Sequence, residues 1–76
     1  MMHKFPAVKG KDIVRVLTKA GWVVLYVRGS HHQLEHSVTR QRITVAVHVG
    51  KDMRPWLVLK ILKAVKMSEE EFRNLL

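Results

Sequence analysis

WVVLYVRGSHHQLEH, residues 22–36, decides how the rest of the chain is read. Its first half is rich in β-branched and aromatic residues, which favour a strand. Gly29-Ser30 is a two-residue turn of the Gly-X type, suited to a tight hairpin. Residues 31–36 are then the returning strand. This turn sets Leu25 opposite Leu34, Val27 opposite His32, Tyr26 opposite Gln33 and Arg28 opposite His31. Leu34 is the only aliphatic residue of the returning strand, so it points to the core and takes His32 and His36 with it. His31, Gln33 and Glu35 point to solvent.

Upstream, a helical period begins at Lys11. Ile13, Val16, Leu17 and Ala20 fall at i, i+3, i+4 and i+7, and Gly21 stands where a helix stops. Downstream, the polar stretch 37–41 is a second turn and RITVAVHV, residues 42–49, a third strand. Its inner row is Ile43, Val45 and Val47, and its outer row Arg42, Thr44, Ala46 and His48. Residues 52–55 form a loop, with Pro55 placed for the first turn of a helix. Over residues 56–66 Val58, Ile61, Leu62 and Val65 make an apolar stripe. Ser68 followed by Glu71 is a capping-box pattern, so a last short helix runs through residues 72–76, and Glu69, Glu70 and Glu71 complement its N-terminal dipole. The expected class is α+β, in the order α-β-β-β-α-α: a three-stranded antiparallel sheet with helices on one face and the other face open. Residues 1–9 read as a loosely ordered arm.

A chain of 76 residues makes one domain, residues 1–76, and buries only about 60% of its unfolded surface. There is no cysteine, which removes disulfides and thiolate metal sites. No apolar run approaches the roughly 20 residues of a membrane helix, and the N-terminus has no signal-peptide pattern, so a cytoplasmic location without a membrane partner is expected. Fourteen Lys and Arg against six Asp and Glu give a net charge of +8. Such an excess suits a polyanion, because each neutralised phosphate releases condensed counterions.

The three histidines of residues 31–36 invite a metal reading, which strand geometry opposes. His31 and His32 point to opposite faces, and His32 and His36 lie about 13 Å apart by strand rise. Zinc needs nitrogen ligands converging at about 2.0–2.1 Å, so no metal site and no cofactor is expected. His31 is different. It stands on the open, basic face, and an imidazole exchanges protons near neutral pH. No carboxylate-oriented triad is in sight. RNA, however, carries its own nucleophile, the 2′-hydroxyl. A histidine that takes the proton of that group, or protonates the leaving 5′-oxygen, cleaves the strand without a metal. Arg28 could stabilise the crowded phosphate. Trp56, Lys60 and Lys63, at i, i+4 and i+7, offer an indole for stacking and cations for phosphates, and Arg42 adds a further cation on the open face. The competing readings are a non-catalytic RNA-binding module and a basic domain for an acidic protein partner.

The helix ending in K-A-G-W (residues 19–22), G-S-H-H (29–32), I-T-V-A-V-H (43–48), I-L-K-A (61–64) and S-E-E-E-F (68–72) resemble the HicA-type toxins, the mRNA-interferase half of a toxin–antitoxin pair. The resemblance covers residues 11–76. It implies a fold similar to the double-stranded-RNA-binding domain, cleavage of mRNA, and neutralisation by a HicB-type antitoxin. It also implies that His31, which follows Gly-Ser directly, is the catalytic histidine. His48, Arg28, Ser30 and Tyr26 are the supporting candidates. Three positions depart from the family pattern. Tyr26 stands where an arginine is common, with Arg28 on the same face to replace it. Ala46 stands where a proline is common, and Trp56-Leu57 where the second long helix often begins near Gly-Thr.

Overall fold

The computed structural model describes residues 6–76. Helix α1 (Gly10–Lys19) leads into strands β1 (Trp22–Arg28), β2 (His31–His36) and β3 (Arg42–Ala46), followed by helices α2 (Pro55–Ala64) and α3 (Glu69–Leu75). The strands form one antiparallel sheet in the order β1-β2-β3. This is the expected α+β order. One core joins the elements: Ile13, Val16 and Leu17 of α1, Leu34 and Val45 of the sheet, Val58 and Leu62 of α2, and Phe72 of α3.

The hairpin closes as its turn residues require. Gly29 takes φ 59° while Ser30 stays out of the left-handed region, as a Gly-X turn demands. From the turn outward, Arg28 pairs with His31, Val27 with His32 and Tyr26 with Gln33, all as expected. Beyond Tyr26 the expected register fails. Leu34 pairs with Val24, not Leu25, because Leu25 is the extra residue of a β-bulge. The gain lies in what is buried. A regular ladder would turn Val23 and Leu25 inward; the bulge turns Trp22 and Val24 inward instead. Trp22 is then 4% exposed and Leu25 41%. An indole offers far more apolar area than a valine, so the irregular register wins. Tyr26 and Arg28, between the bulge and the turn, keep their outward direction.

Strand β3 is shorter than the expected residues 42–49. After Ala46 the chain turns inward: Val47 packs on the core, and its N–H donates to the Ser30 carbonyl at 2.7 Å. Gly50 sits at φ 76° in the turn that follows. His48 is therefore in a loop, not at the end of the strand's outer row.

The helices begin and stop for identifiable reasons. At the start of α1 the Lys9 N–H donates to the Asp12 carboxylate at 2.8 Å. The helix opens at Gly10, one residue before the apolar period suggests. At its other end Gly21, φ 97°, turns the chain towards β1. Helix α2 stops at Ala64, not at Lys66. Lys66 adopts φ 58°, its N–H bonds to the Lys63 carbonyl at 3.2 Å, and the Met67 N–H bonds to the Leu62 carbonyl at 2.9 Å. That pair of bonds is a Schellman stop, with Met67 buried beside it. In α3 the Ser68 hydroxyl accepts from the Glu71 N–H at 3.0 Å, as the capping pattern requires, and Glu69, Glu70 and Glu71 occupy the first turn.

Of the expected arm, residues 1–5 lie outside the described residues. Val8 is buried at 1% exposure. Its carbonyl accepts from the Met53 N–H at 2.7 Å, and Lys9 forms an isolated bridge with Asp52. The Lys9 ammonium lies 2.9 Å from the Asp52 carboxylate. That hydrogen bond and the carboxylate's charge raise its pKa above the ordinary lysine value. Among the described residues no helix is long and apolar enough to cross a membrane.

Candidate active site

The outer sheet face carries three rows. Arg28, His31 and Ala46 lie side by side across the strands, then Tyr26, Gln33 and Thr44, then Glu35 and Arg42. His31 leads this arrangement because it is the first residue after the turn. It is exposed, and its neighbour in β3 is an alanine, which leaves room above the ring. The Arg28 guanidinium lies 5.9 Å from the Tyr26 ring centroid, close enough for a cation–π contact. Thr44 Oγ1 donates to the Gln33 side chain at 2.6 Å, which fixes the middle row. The Ser30 carbonyl is engaged by Val47, so Ser30 holds the turn to the chain beyond β3.

The space beside His31 is not flat. A cleft of about 400 Å³ is walled by His31, Thr44 and Ala46 on one side and by Leu57, Lys60, Ile61 and Ala64 on the other. These four α2 residues fall at i, i+3, i+4 and i+7, one face of a helix. A second cavity of about 450 Å³ adjoins it, lined by His48, Lys51, Arg54 and Trp56 among others. Ala46 and Leu57 line both, so the two are halves of one groove. Trp56 is 61% exposed and is no part of the core.

The groove is cationic. Among the described residues Asp12 pairs with Arg15, Glu35 with Arg40 and Arg42, and Asp52 with Lys9. The acids outside α3 are thus matched locally. Lys51, Arg54 and Lys60 form no such pair among the described residues. Arg42 differs from expectation here: its Nε donates to Glu35 at 3.0 Å, so this cation is already engaged. Lys63 is exposed one turn beyond Lys60 and does not line the His31 cleft.

The remaining histidines separate cleanly. His36 Nδ1 accepts from the N–H groups of Val38 and Thr39 at 3.1 and 3.2 Å, and its ring stands edge-on to Trp22 with centroids 5.2 Å apart. It shapes the β2–β3 turn. His32 lies opposite Val27 and Val45, and its buried Nδ1 has no hydrogen-bond partner among the described residues. Among those residues no three His, Asp or Glu side chains converge as a metal site. The apolar wall Leu57–Ile61–Ala64 and the cations Lys51 and Arg54 are site features that strand parity could not reach. The wall's signal was a second stripe on α2, Leu57, Ile61 and Ala64 at i, i+4 and i+7, of which Ile61 also belongs to the expected core stripe; Lys51 and Arg54 precede the helix and carried no such signal.

A family model described as HicA toxin of bacterial toxin-antitoxin matches residues 10–67, more than half of the chain. The chain belongs to the HicA toxin family. No curated protein and no solved structure matches it. Family membership makes this HicA chain a toxin of the toxin–antitoxin type, with nuclease activity of the mRNA-interferase kind, RNA as substrate and an antitoxin as partner. The matched stretch contains every residue that walls the two halves of the groove and leaves out α3.

Proposed function

We propose that this chain is a metal-independent endoribonuclease that cleaves mRNA in the cytoplasm, with His31 as its catalytic residue, and that a HicB-type antitoxin neutralises it. The observation that carries the reading is the exposed imidazole of His31 in a cleft shared with Lys60. In the proposed step the 2′-oxygen attacks the adjacent phosphorus and the bond to the 5′-oxygen breaks. His31 either takes the 2′-hydroxyl proton while water protonates the departing 5′-oxygen, or protonates that oxygen while water takes the 2′-hydroxyl proton, leaving a 2′,3′-cyclic phosphate and a free 5′-hydroxyl. Arg28 beside it and Lys60 across the cleft supply positive charge where the phosphorane gathers negative charge. Tyr26 orients Arg28 through its ring, Ser30 fixes the turn that aims His31, and His48 lies further along the groove.

His31→Ala is the test. Cleavage should fall by about 10²- to 10⁴-fold, the usual worth of one acid–base group, while RNA affinity changes little. Cleavage should persist in EDTA. Equal losses of affinity and cleavage in His31→Ala would make His31 a binding residue and not the catalyst, and RNA binding without any cleavage by the unaltered protein would make the chain an RNA-binding module without catalysis.

A further inference from the structure

Resting on the ribonuclease reading, we propose that the second half of the groove is a base-stacking subsite that restricts the substrate to single-stranded RNA. The Trp56 indole receives an unpaired base near the cleaved linkage, and Lys51 and Arg54 hold the phosphates that lead to it.

Four observations carry this. Trp56 sits in the first turn of α2 with 61% of its surface in water, while Val58 and Leu62 of the same helix are buried. Its ring therefore adds little to the core. It lines a concavity of about 450 Å³, within the roughly 300–1,000 Å³ range of ligand sites. The cations around it form no ion pair among the described residues, and the one acid on the wall, Asp52, is matched by Lys9. Finally, Ala46 and Leu57 continue the wall from the His31 cleft, so a strand lying against His31 is led to the indole.

The strandedness follows from the chemistry of stacking. In a duplex both faces of each base are covered by neighbours, so an indole has nothing to stack on until a base is unpaired. Cations alone would accept either form of RNA, or an acidic segment of a protein. A flat aromatic surface beside cations favours a nucleotide whose base is free. The groove thus selects against duplex RNA.

The test uses the His31→Ala protein, so that RNA stays intact, with one short oligoribonucleotide single-stranded and then annealed to its complement. The single strand should quench tryptophan emission, since Trp56 is exposed while Trp22 is 4% exposed. The duplex should neither quench nor bind comparably. Adding Trp56→Ala should weaken single-strand binding by about 5- to 150-fold, the worth of one stacked base. Adding Trp56→Phe should restore most of it. Undiminished binding by the Trp56→Ala protein, equal binding of duplex, or an emission change caused only by an antitoxin would overturn the proposal. Cleavage by the His31-containing protein is scored separately. Its absence alongside intact quenching sinks the ribonuclease reading and keeps the stacking subsite.

Discussion

A β-carbon placed on Gly10 would lie 2.7 Å from the Ala46 carbonyl oxygen and 2.8 Å from the Val47 Cα. Both are backbone atoms with little room to yield. Gly10 therefore lets α1 start hard against the chain leaving β3, next to the alanine that lines the His31 cleft. Gly10→Ala should cost about 1–3 kcal/mol, as overpacked cores do, and lower the denaturant midpoint accordingly. A midpoint equal to the parent's would mean that α1 is free to shift. His31 shows the other side of residue-scale reasoning. Its direction was legible because only one residue separates it from the glycine of the turn, so no irregularity could intervene. His48 was not legible in the same way. Alternation continues on paper through residue 49, but the strand ends at Ala46 once Val47 can pack on the core.

At the scale of elements, apolar spacing located the three helices and three strands, since each needs one stripe or face to bury. What it could not locate were the places where two choices compete for burial. Over β1, both Val23 with Leu25 and Trp22 with Val24 alternate, and only the tertiary demand for the indole selects the second. At the end of α2 the apolar stripe runs on to Val65, but Lys66 takes a left-handed conformation that glycine ordinarily fills. A lysine there gives no sign of a stop. It also holds a conformation that costs an L-residue about 1 kcal/mol or more. Lys66→Gly should raise stability by about 1 kcal/mol in chemical denaturation. Unchanged or lower stability would show that the lysine side chain contributes more than the backbone conformation costs.

For the whole molecule the charge of +8 becomes specific once the acids are traced. Those outside α3 are each paired locally, and three basic side chains outside those pairs, Lys51, Arg54 and Lys60, line the groove. RNA affinity should therefore fall steeply with salt. Three phosphates held by Lys51, Arg54 and Lys60 give a slope of about −2 in log affinity against log salt for a single strand. Lys60→Gln should flatten that slope by about 0.7. A slope near zero would mean that the groove does not hold phosphates. This pattern was only partly legible in the sequence. Composition indicated a polyanion, but Arg42 looked as available as Lys60 until Glu35 was found beside it.

The bulge at Leu25 has one more consequence. Strand β1 is the margin of the sheet, and Val23, Leu25, Tyr26 and Val27 along it are all more than two-fifths in water. A regular strand of that composition is a template on which like chains add one after another. The extra residue twists the margin and interrupts its row of vacant peptide groups. The kink that turns Trp22 inward should therefore also oppose edge-to-edge association, and deleting Leu25 should raise the share of the protein lost to sedimentation.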